Sequence, residues 1–503
     1  MSLAQRTALG AFWTISTGML SRTLSLVCTL LLSQFMDPAE FGEVAVAVVV
    51  VGMAKLLAAA GLGQYIVTRP RSERSAVFHA TLYFHALGAL LLGGAYLGRD
   101  ALGQLFGAPH MGRFVPGLVV ATWLARISVP PEKVLVRDLR FKAQSLITAL
   151  GEVAYGGVAL LLAMLGAGGF AIVWGNLARG LVLAVLMLAV TERRDWLEVS
   201  RVTAARSREV LGFGLPVLVA GLADFGARRW DNLMVSSLHG ETAAGLYSYA
   251  YNLADVPATV VGERIGDVLL PSFARIDPER RPAALIRGMT LSALLCFPLA
   301  VGLGAVAGSL ARGFLSERWR DVGPMLALLS SLSLTRPPLY IAFSYLQALG
   351  RTNTVMLLEW IKALSIVLAI AATGAARPLS PAVASLGPLS ACVAVGAAML
   401  GSTLLYLAVV ARIERISLWA IVRPLLPPLV ACGPLVGAVL VVRGAMASRA
   451  PGWSLAAEIL AGAVAFAASA LLLAPAASKD LLGLAASVLR QRRGRAAGDA
   501  PQA

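Results

Sequence analysis

Asp224, Arg228 and Asp231 stand at i, i+4 and i+7 inside an otherwise apolar run, so an acid, a base and a second acid share one helix face. A charge at the centre of a bilayer costs roughly 2.5–3.5 kcal/mol, so such groups face a bundle interior or a water-filled path. There a guanidinium can hold an oxyanion, and a carboxylate can take up a proton or a metal cation. Arg229 points roughly the other way, Asp255 follows within the apolar run, and Glu263, Arg264 and Asp267 come toward its end. The stretch from Leu211 to Ile276 is therefore read as one wall of a polar cavity between helices.

The chain that must position this wall has 503 residues, 58% hydrophobic and only 14% charged, with a mean hydropathy of +0.76. That composition belongs to an all-α polytopic membrane protein, not to a soluble domain. A net charge of +16 would suggest nucleic acid in a soluble chain. Here no nucleic-acid partner is expected, because Lys and Arg concentrate in short loops, as the positive-inside rule requires. The basic residues are almost all Arg. That skew suits paired phosphate oxygens, and a GC-rich genome would give the same skew. Cys28, Cys296, Cys392 and Cys432 lie singly in apolar segments, so neither a metal site nor a disulfide framework is expected. The first apolar run, Leu9 to Leu32, is read as a retained helix and not a cleaved leader.

Windows of about twenty apolar residues give about fourteen transmembrane helices, centred near Leu20, Val50, Leu87, Val120, Tyr155, Leu181, Val219, Asn252, Leu299, Ser333, Leu368, Val395, Ala431 and Ala465. Even-numbered spans are followed by basic loops such as TRPRSERS, EKVLVRDLRFK and TERRDWLEVSRVTAARSRE. Odd-numbered spans are followed by poorer ones such as FMDPAE, GAGG and SLHGETAA. About 25 basic residues fall on the first side and the termini, against about 8 on the other, which places both termini in the cytoplasm. The loop ARGFLSERWRD, with Arg312, Arg318 and Arg320, is the exception.

An internal repeat organises the spans. FMDPAEFGEVAVA (35–47) aligns with LHGETAAGLYSYA (238–250), placing Gly42 on Gly245 at an offset of 203. Pro130-Pro131 falls on Pro337-Pro338, and Glu152 on Glu359, both at an offset of 207. Six spans per repeat is an even number, so the halves share orientation. The expected organisation is a six-helix bundle over 1–195, a second over 196–415, two further helices over 416–477, and a basic amphipathic, then disordered, tail over 478–503.

Ten basic residues fall within or near the ends of spans. At roughly 3 kcal/mol each, exposing all to lipid would cost about 30 kcal/mol, against a net stability of about 5–15 kcal/mol. Most must meet water, one another or a ligand. Arg126, Arg264 and Arg423 sit near cytoplasmic ends and are expected to snorkel. Arg22, Lys55, Arg179, Arg228 and Arg336 are the candidate substrate-binding cations. Asp224, Asp255, Glu152 and Glu359 are the candidate ion-coupling acids, for protons or sodium ions. Arg22 aligns beside Asp224 and could meet it across a cleft. Glu359 and Lys362, at i and i+3, can neutralise each other. Glu152 and Asp255 have no obvious local partner. His79 and His85 are read as polar interior residues.

With these residues in view, the chain resembles the polysaccharide (O-antigen type) lipid-linked oligosaccharide flippases of the multidrug/oligosaccharidyl-lipid/polysaccharide exporter superfamily. The resemblance rests on GAFW (10–13), LLSQFMDPAEFGEVAVA and AAGLGQYIV (59–67). It rests most on the block DNLMVSSLHGETAAGLYSYAYNLADVPATVVGERIGDVLLPSFARI. It implies a flippase for undecaprenyl-pyrophosphate-linked oligosaccharide repeat units in a bacterial inner membrane, with a central cationic cavity, no cofactor, and a polysaccharide polymerase as a candidate partner.

The rivals are a multidrug exporter, whose cationic drugs want an acidic cavity, and a lipid-linked peptidoglycan precursor flippase of similar fold. A membrane glycosyltransferase or polymerase would use Asp37 and Glu40 as an acidic pair, but no loop here is long enough to hold an acceptor. GxxxxGK[ST], GxSxG and HExxH are all missing from the sequence.

Overall fold

In the computed structural model the described residues are 27–70, 72–138, 140–257, 276–446 and 451–483, with isolated positions at 17, 18, 21, 24, 259, 265, 269 and 273. They form only helices and connections. In chain order these are α1 (Pro38–Ala59), α2 (Leu62–Thr68), α3 (Arg74–Leu97), α4 (Arg99–Leu105), α5 (Val115–Ile127), α6 (Val129–Arg137), α7 (Phe141–Met164), α8 (Phe170–Val190), α9 (Ala204–Ala254) and α10 (Arg281–Phe314). Then come α11 (Val322–Leu332), α12 (Arg336–Ala348), α13 (Thr352–Ala376), α14 (Pro381–Leu386), α15 (Leu389–Glu414), α16 (Leu418–Val422), α17 (Leu426–Ala445) and α18 (Pro451–Leu473).

Among the described residues, eleven helical stretches are long and apolar enough to cross a membrane, against the fourteen expected. The difference has local causes. The span centred at Leu20 falls largely outside the described residues, as do Arg22, Arg264 and the tail beyond 483. The span centred at Val120 is broken into α5 and α6, neither long enough alone. The loop expected at SLHGETAA is helical, so two spans merge into the 51-residue α9. At 1.5 Å per residue α9 would extend about 75 Å, more than twice a hydrocarbon core of about 30 Å. It turns at Gly240, whose φ of 82° and ψ of 174° lie in a region that only glycine adopts readily.

Prolines punctuate equivalent places. Pro130-Pro131 opens α6 and Pro337-Pro338 opens α12, where the missing N–H is an orphan in any case. α1 begins the same way, with Pro38 after the cap residue Asp37 and Glu40 in its first turn, an acid where the helix dipole favours one.

The chain divides into two compact units. The first contains residues 1–249, 315–321 and 359–395. Its helices α7 and α8 pack side by side, and a core of Leu62, Tyr65, Ile66, Val77, Phe84 and Val134 joins α2, α3 and α6. At the start of α1, Gly42 crosses Gly245 of α9. A β-carbon on Gly42 would lie 1.9 Å from the Glu241 carbonyl oxygen, and one on Gly245 would lie 1.8 Å from that of Pro38. Only glycine fits either position. Beside the crossing, buried Trp319 donates from Nε1 to the Met36 carbonyl at 2.9 Å, and its ring meets Tyr249 at 4.7 Å and Phe41 at 5.5 Å. Arg318 pairs with Asp37, and Arg320 with Glu317 at 2.8 Å. Two of the three arginines of this exceptional basic loop, Arg318 and Arg320, are thus neutralised by nearby acids.

At the other end of α3, the segment leading into α9 is fastened residue by residue. Arg74 pairs with Glu198 at 2.7 Å, Ser75 meets Ser200 at 3.1 Å, and Tyr83 meets Ser207 at 2.6 Å. Fully buried His79 accepts from the Thr203 backbone N–H at Nε2, 3.2 Å away. Its Nδ1 therefore carries the proton and donates to the Ser75 carbonyl at 2.7 Å. The polar-interior reading of His79 is thus a specific job: it holds the start of α9.

The second unit contains residues 250–314, 322–358 and 396–503. Leu285, Met289, Phe297, Leu339, Tyr345 and Tyr406 centre its core. α17 and α18 pack on α10 through a buried polar knot. Glu458, 1% exposed, accepts from Ser309 Oγ at 2.8 Å and from Arg443 at 3.1 Å. Past α18, Arg287 of α10 grips Asp480 from Nε at 2.6 Å and holds its carboxyl below the usual carboxylate range. Leucines such as Leu97, 80% exposed, and Leu368, 65% exposed, cover the outer faces of the spans, as expected where the surrounding medium is hydrocarbon.

Candidate functional site

The charges inside the spans are, for the most part, already matched. Asp224 accepts from Arg228 Nε at 3.0 Å one helical turn along α9. Asp231, on the same face, is buried and accepts from Tyr247 Oη at 2.7 Å and from the Asn232 backbone N–H at 2.8 Å. Glu152 of α7 pairs with Arg179 of α8 at 2.8 Å. Glu359 and Lys362, both buried on α13, pair at 2.6 Å. In the second unit Asp255 pairs with Arg336, the first residue of α12, whose Nη2 also donates to Tyr251 Oη at 2.8 Å. The Arg336 guanidinium lies over the same tyrosine ring, 5.0 Å from its centre.

Glu152 and Asp255, read as having no obvious local partner, each hold an arginine contributed by another helix or segment. Asp224 is engaged by Arg228, and the expected meeting of Arg22 with Asp224 lies outside the described residues. Within each pair the attraction offsets the cost of removing two charges from water.

Arg126 corrects a sequence expectation. It does not snorkel; it is fully buried. Its Nη1 donates to the Lys55 carbonyl at 3.4 Å, and its Nη2 to those of Ala58, at 3.3 Å, and Phe84. The Phe84 ring lies 3.8 Å from the guanidinium carbon. α1 stops at Ala59, so the Ala58 carbonyl in its last turn lacks an intrahelical donor, and Arg126 supplies one.

What remains is a cleft of about 400 Å³ in the first unit, between α1 and α9. Its walls are Val48, Val49, Leu56, Ala59 and Phe225, and its two cations are Lys55 and Arg229. Among the described residues neither cation enters an ion pair. Lys55 also feels the positive charge of Arg179 and Arg126, with Glu132 opposing them. Arg229 was set aside in the sequence because it points away from the Asp224–Asp231 face. That other face is the one turned toward α1, and the Lys55 that awaits it there is 174 positions away in the chain. The arrangement, two cations in an apolar slot, suits a ligand with an anionic head and a hydrocarbon body. Asp37 and Glu40, the acids an enzyme would need, are held by Arg318 and, at 3.7 Å, by Arg113.

Comparison with solved structures defines the class. The lipid II flippase MurJ in an inward closed conformation superposes with a TM-score of 0.74, covering 94% of this chain and 100% of that one at 14% identity. An inward-facing multidrug resistance MATE family transporter of the MOP superfamily superposes with a TM-score of 0.64, covering 80% and 96%, also at 14% identity. The protein is thus a multi-pass membrane protein with the helical fold that these structures share. Residues 31–324 match the family described as "Polysaccharide biosynthesis protein", and the chain belongs to that family.

Its relatives include the succinoglycan biosynthesis transport protein ExoT of Rhizobium meliloti (strain 1021), 28% identical over 361 residues, 70% of each chain. The lipopolysaccharide biosynthesis protein WzxC of Escherichia coli (strain K12) is 24% identical over 67% of this chain and 68% of its own. The teichuronic acid biosynthesis protein TuaB of Bacillus subtilis (strain 168) is 23% identical over 70% and 73%.

Proposed function

We propose that this protein flips undecaprenyl-pyrophosphate-linked oligosaccharide repeat units across a bacterial inner membrane, for assembly of a surface polysaccharide, by alternating access. The observation that carries the reading is the family match over residues 31–324. The cleft of Lys55 and Arg229 supports it with matching chemistry. A pyrophosphate diester carries two negative charges and cannot cross hydrocarbon unaided. Two guanidinium or ammonium groups in a slot with apolar walls replace its water, while the polyprenyl chain lies against Val48, Leu56 and Phe225 or in the lipid beyond. Two like-oriented six-helix halves, residues 1–195 and 196–415, with both termini cytoplasmic, make up the moving parts.

Ion coupling takes a particular form in this reading. Arg179, Arg228 and Arg336 are each held by a carboxylate. Phosphate that competes for such an arginine releases Glu152, Asp224 or Asp255, which then takes up a proton or a sodium ion. Purified protein in liposomes tests both statements. Undecaprenyl-pyrophosphate-linked glycan should become accessible to a glycosidase on the far side, faster under an imposed proton or sodium gradient. Equal rates with and without protein would discard the function, and indifference to both gradients would discard the coupling.

A further inference from the structure

Trp230 of α9 and Trp360 of α13 are both half-buried, with ring centres 6.3 Å apart and planes inclined at 54°. Trp230 lies against its own helix: the β-carbon that Gly226 lacks would sit 2.8 Å from the indole ring. Any side chain there would push the ring away, so glycine one turn earlier sets the ring's position. On α13 the exposed stripe is Leu357, Ile361, Leu364 and Leu368. Trp360 turns off that stripe to meet Trp230.

Charged residues neighbour both tryptophans along the chain: Arg229, one of the two cleft cations, immediately precedes Trp230, and Glu359 and Lys362, buried and paired with each other, stand one before and two after Trp360. Two angled, half-buried indoles, one of them next in the chain to a cleft cation, have the chemistry of a pyranose site: the C–H face of a sugar ring lies on an indole.

Resting on the flippase reading above, we infer that Trp230 and Trp360 form the stacking subsite for the sugar joined directly to the diphosphate. The order in the chain matches the order in the substrate. Arg229 takes phosphate from the cleft side, and the next residue, Trp230, meets the first sugar.

The test uses the full chain in lipid nanodiscs and three probes: bare undecaprenyl pyrophosphate, and the same lipid carrying glucose or galactose. Wild type should bind one of the sugar-bearing lipids about tenfold more tightly than the bare lipid, the worth of one good stacking contact. Trp230→Ala and Trp360→Ala should erase that difference while leaving binding of the bare lipid unchanged. Trp230→Phe and Trp360→Phe, which keep a ring, should retain most of it and also report on folding. Alanine variants that keep the preference for sugar, or that weaken all three lipids equally, overturn the inference. Wild type that binds all three alike overturns this inference alone; wild type that binds none overturns the flippase reading and this with it.

Discussion

Gly42 and Gly245 lie back to back, each against the carbonyl of the residue four positions before the other. The contact is reciprocal: Gly42 faces Glu241, and Gly245 faces Pro38. Such two-way complementarity is the mark of an isologous contact, here made by two positions of one chain that the repeat alignment pairs. The helices approach as closely as backbones can, in the manner of small residues at membrane helix interfaces.

Gly42→Leu and Gly245→Leu should therefore each destabilise the protein by more than the usual cost of overpacking, about 1–3 kcal/mol, because the obstacle is backbone and cannot swing aside. Thermal unfolding in detergent, followed by size-exclusion chromatography, measures this. A midpoint within a degree or two of wild type would show that the helices can part without cost.

Lys55 and Arg229 should act on affinity and not on folding. Lys55→Ala or Arg229→Ala removes one charge-assisted contact to phosphate, about 1.5–3 kcal/mol, or roughly tenfold to a hundredfold in Kd for bare undecaprenyl pyrophosphate. Arg229→Lys should retain part of the binding, since it keeps the charge and loses the fork. Titration calorimetry on protein of unchanged melting temperature reads the effect. Unaltered affinity in both alanine variants would remove the cleft from the site.

Asp255 and Arg336 call for a double-variant cycle. Breaking a fully buried pair from one side costs about 3–5 kcal/mol; Arg336 is buried and Asp255 partly exposed, so Asp255→Asn and Arg336→Leu should each lower thermal stability by less than that. The double variant should recover much of the loss but not glycan export. Additive losses would show that the two residues act independently.

Arg126 should tolerate no replacement that lacks donors. Arg126→Leu leaves the Ala58 carbonyl, in the last turn of α1, buried without a donor, at about 1–3 kcal/mol. Low membrane abundance, partly restored by Arg126→Lys, is the expected result. Normal abundance with lost export would move Arg126 from scaffold to substrate.

Some of this was legible in the chain and some was not, for identifiable reasons. Apolar windows revealed most spans because hydrocarbon imposes a minimum length. Asp224–Arg228 and Glu359–Lys362 were visible as partners because helical spacing alone brings i, i+4 and i, i+3 together. Glu152–Arg179 and Asp255–Arg336 join different segments, and no local rule forecasts which helix faces which. Arg126 looked like a snorkelling residue from its position near a span end. Its inward turn depends on where α1 stops, and therefore on carbonyls some seventy positions earlier. The merging of two spans into α9 was missed because SLHGETAA has the composition of a loop, yet only Gly240 departs from helical geometry.

The two cations of the α1–α9 cleft have an electrical consequence for the proposed cycle. A dianionic pyrophosphate seated on Lys55 and Arg229 would cancel their charge, so the loaded protein would move without working against the membrane voltage. The empty protein would return with the positive charge of the cleft, and an interior-negative potential would assist that return by about 2.3 kcal/mol per charge per 100 mV. The resting voltage of the cell would then rewind the cycle in the direction that makes it ready for the next cargo.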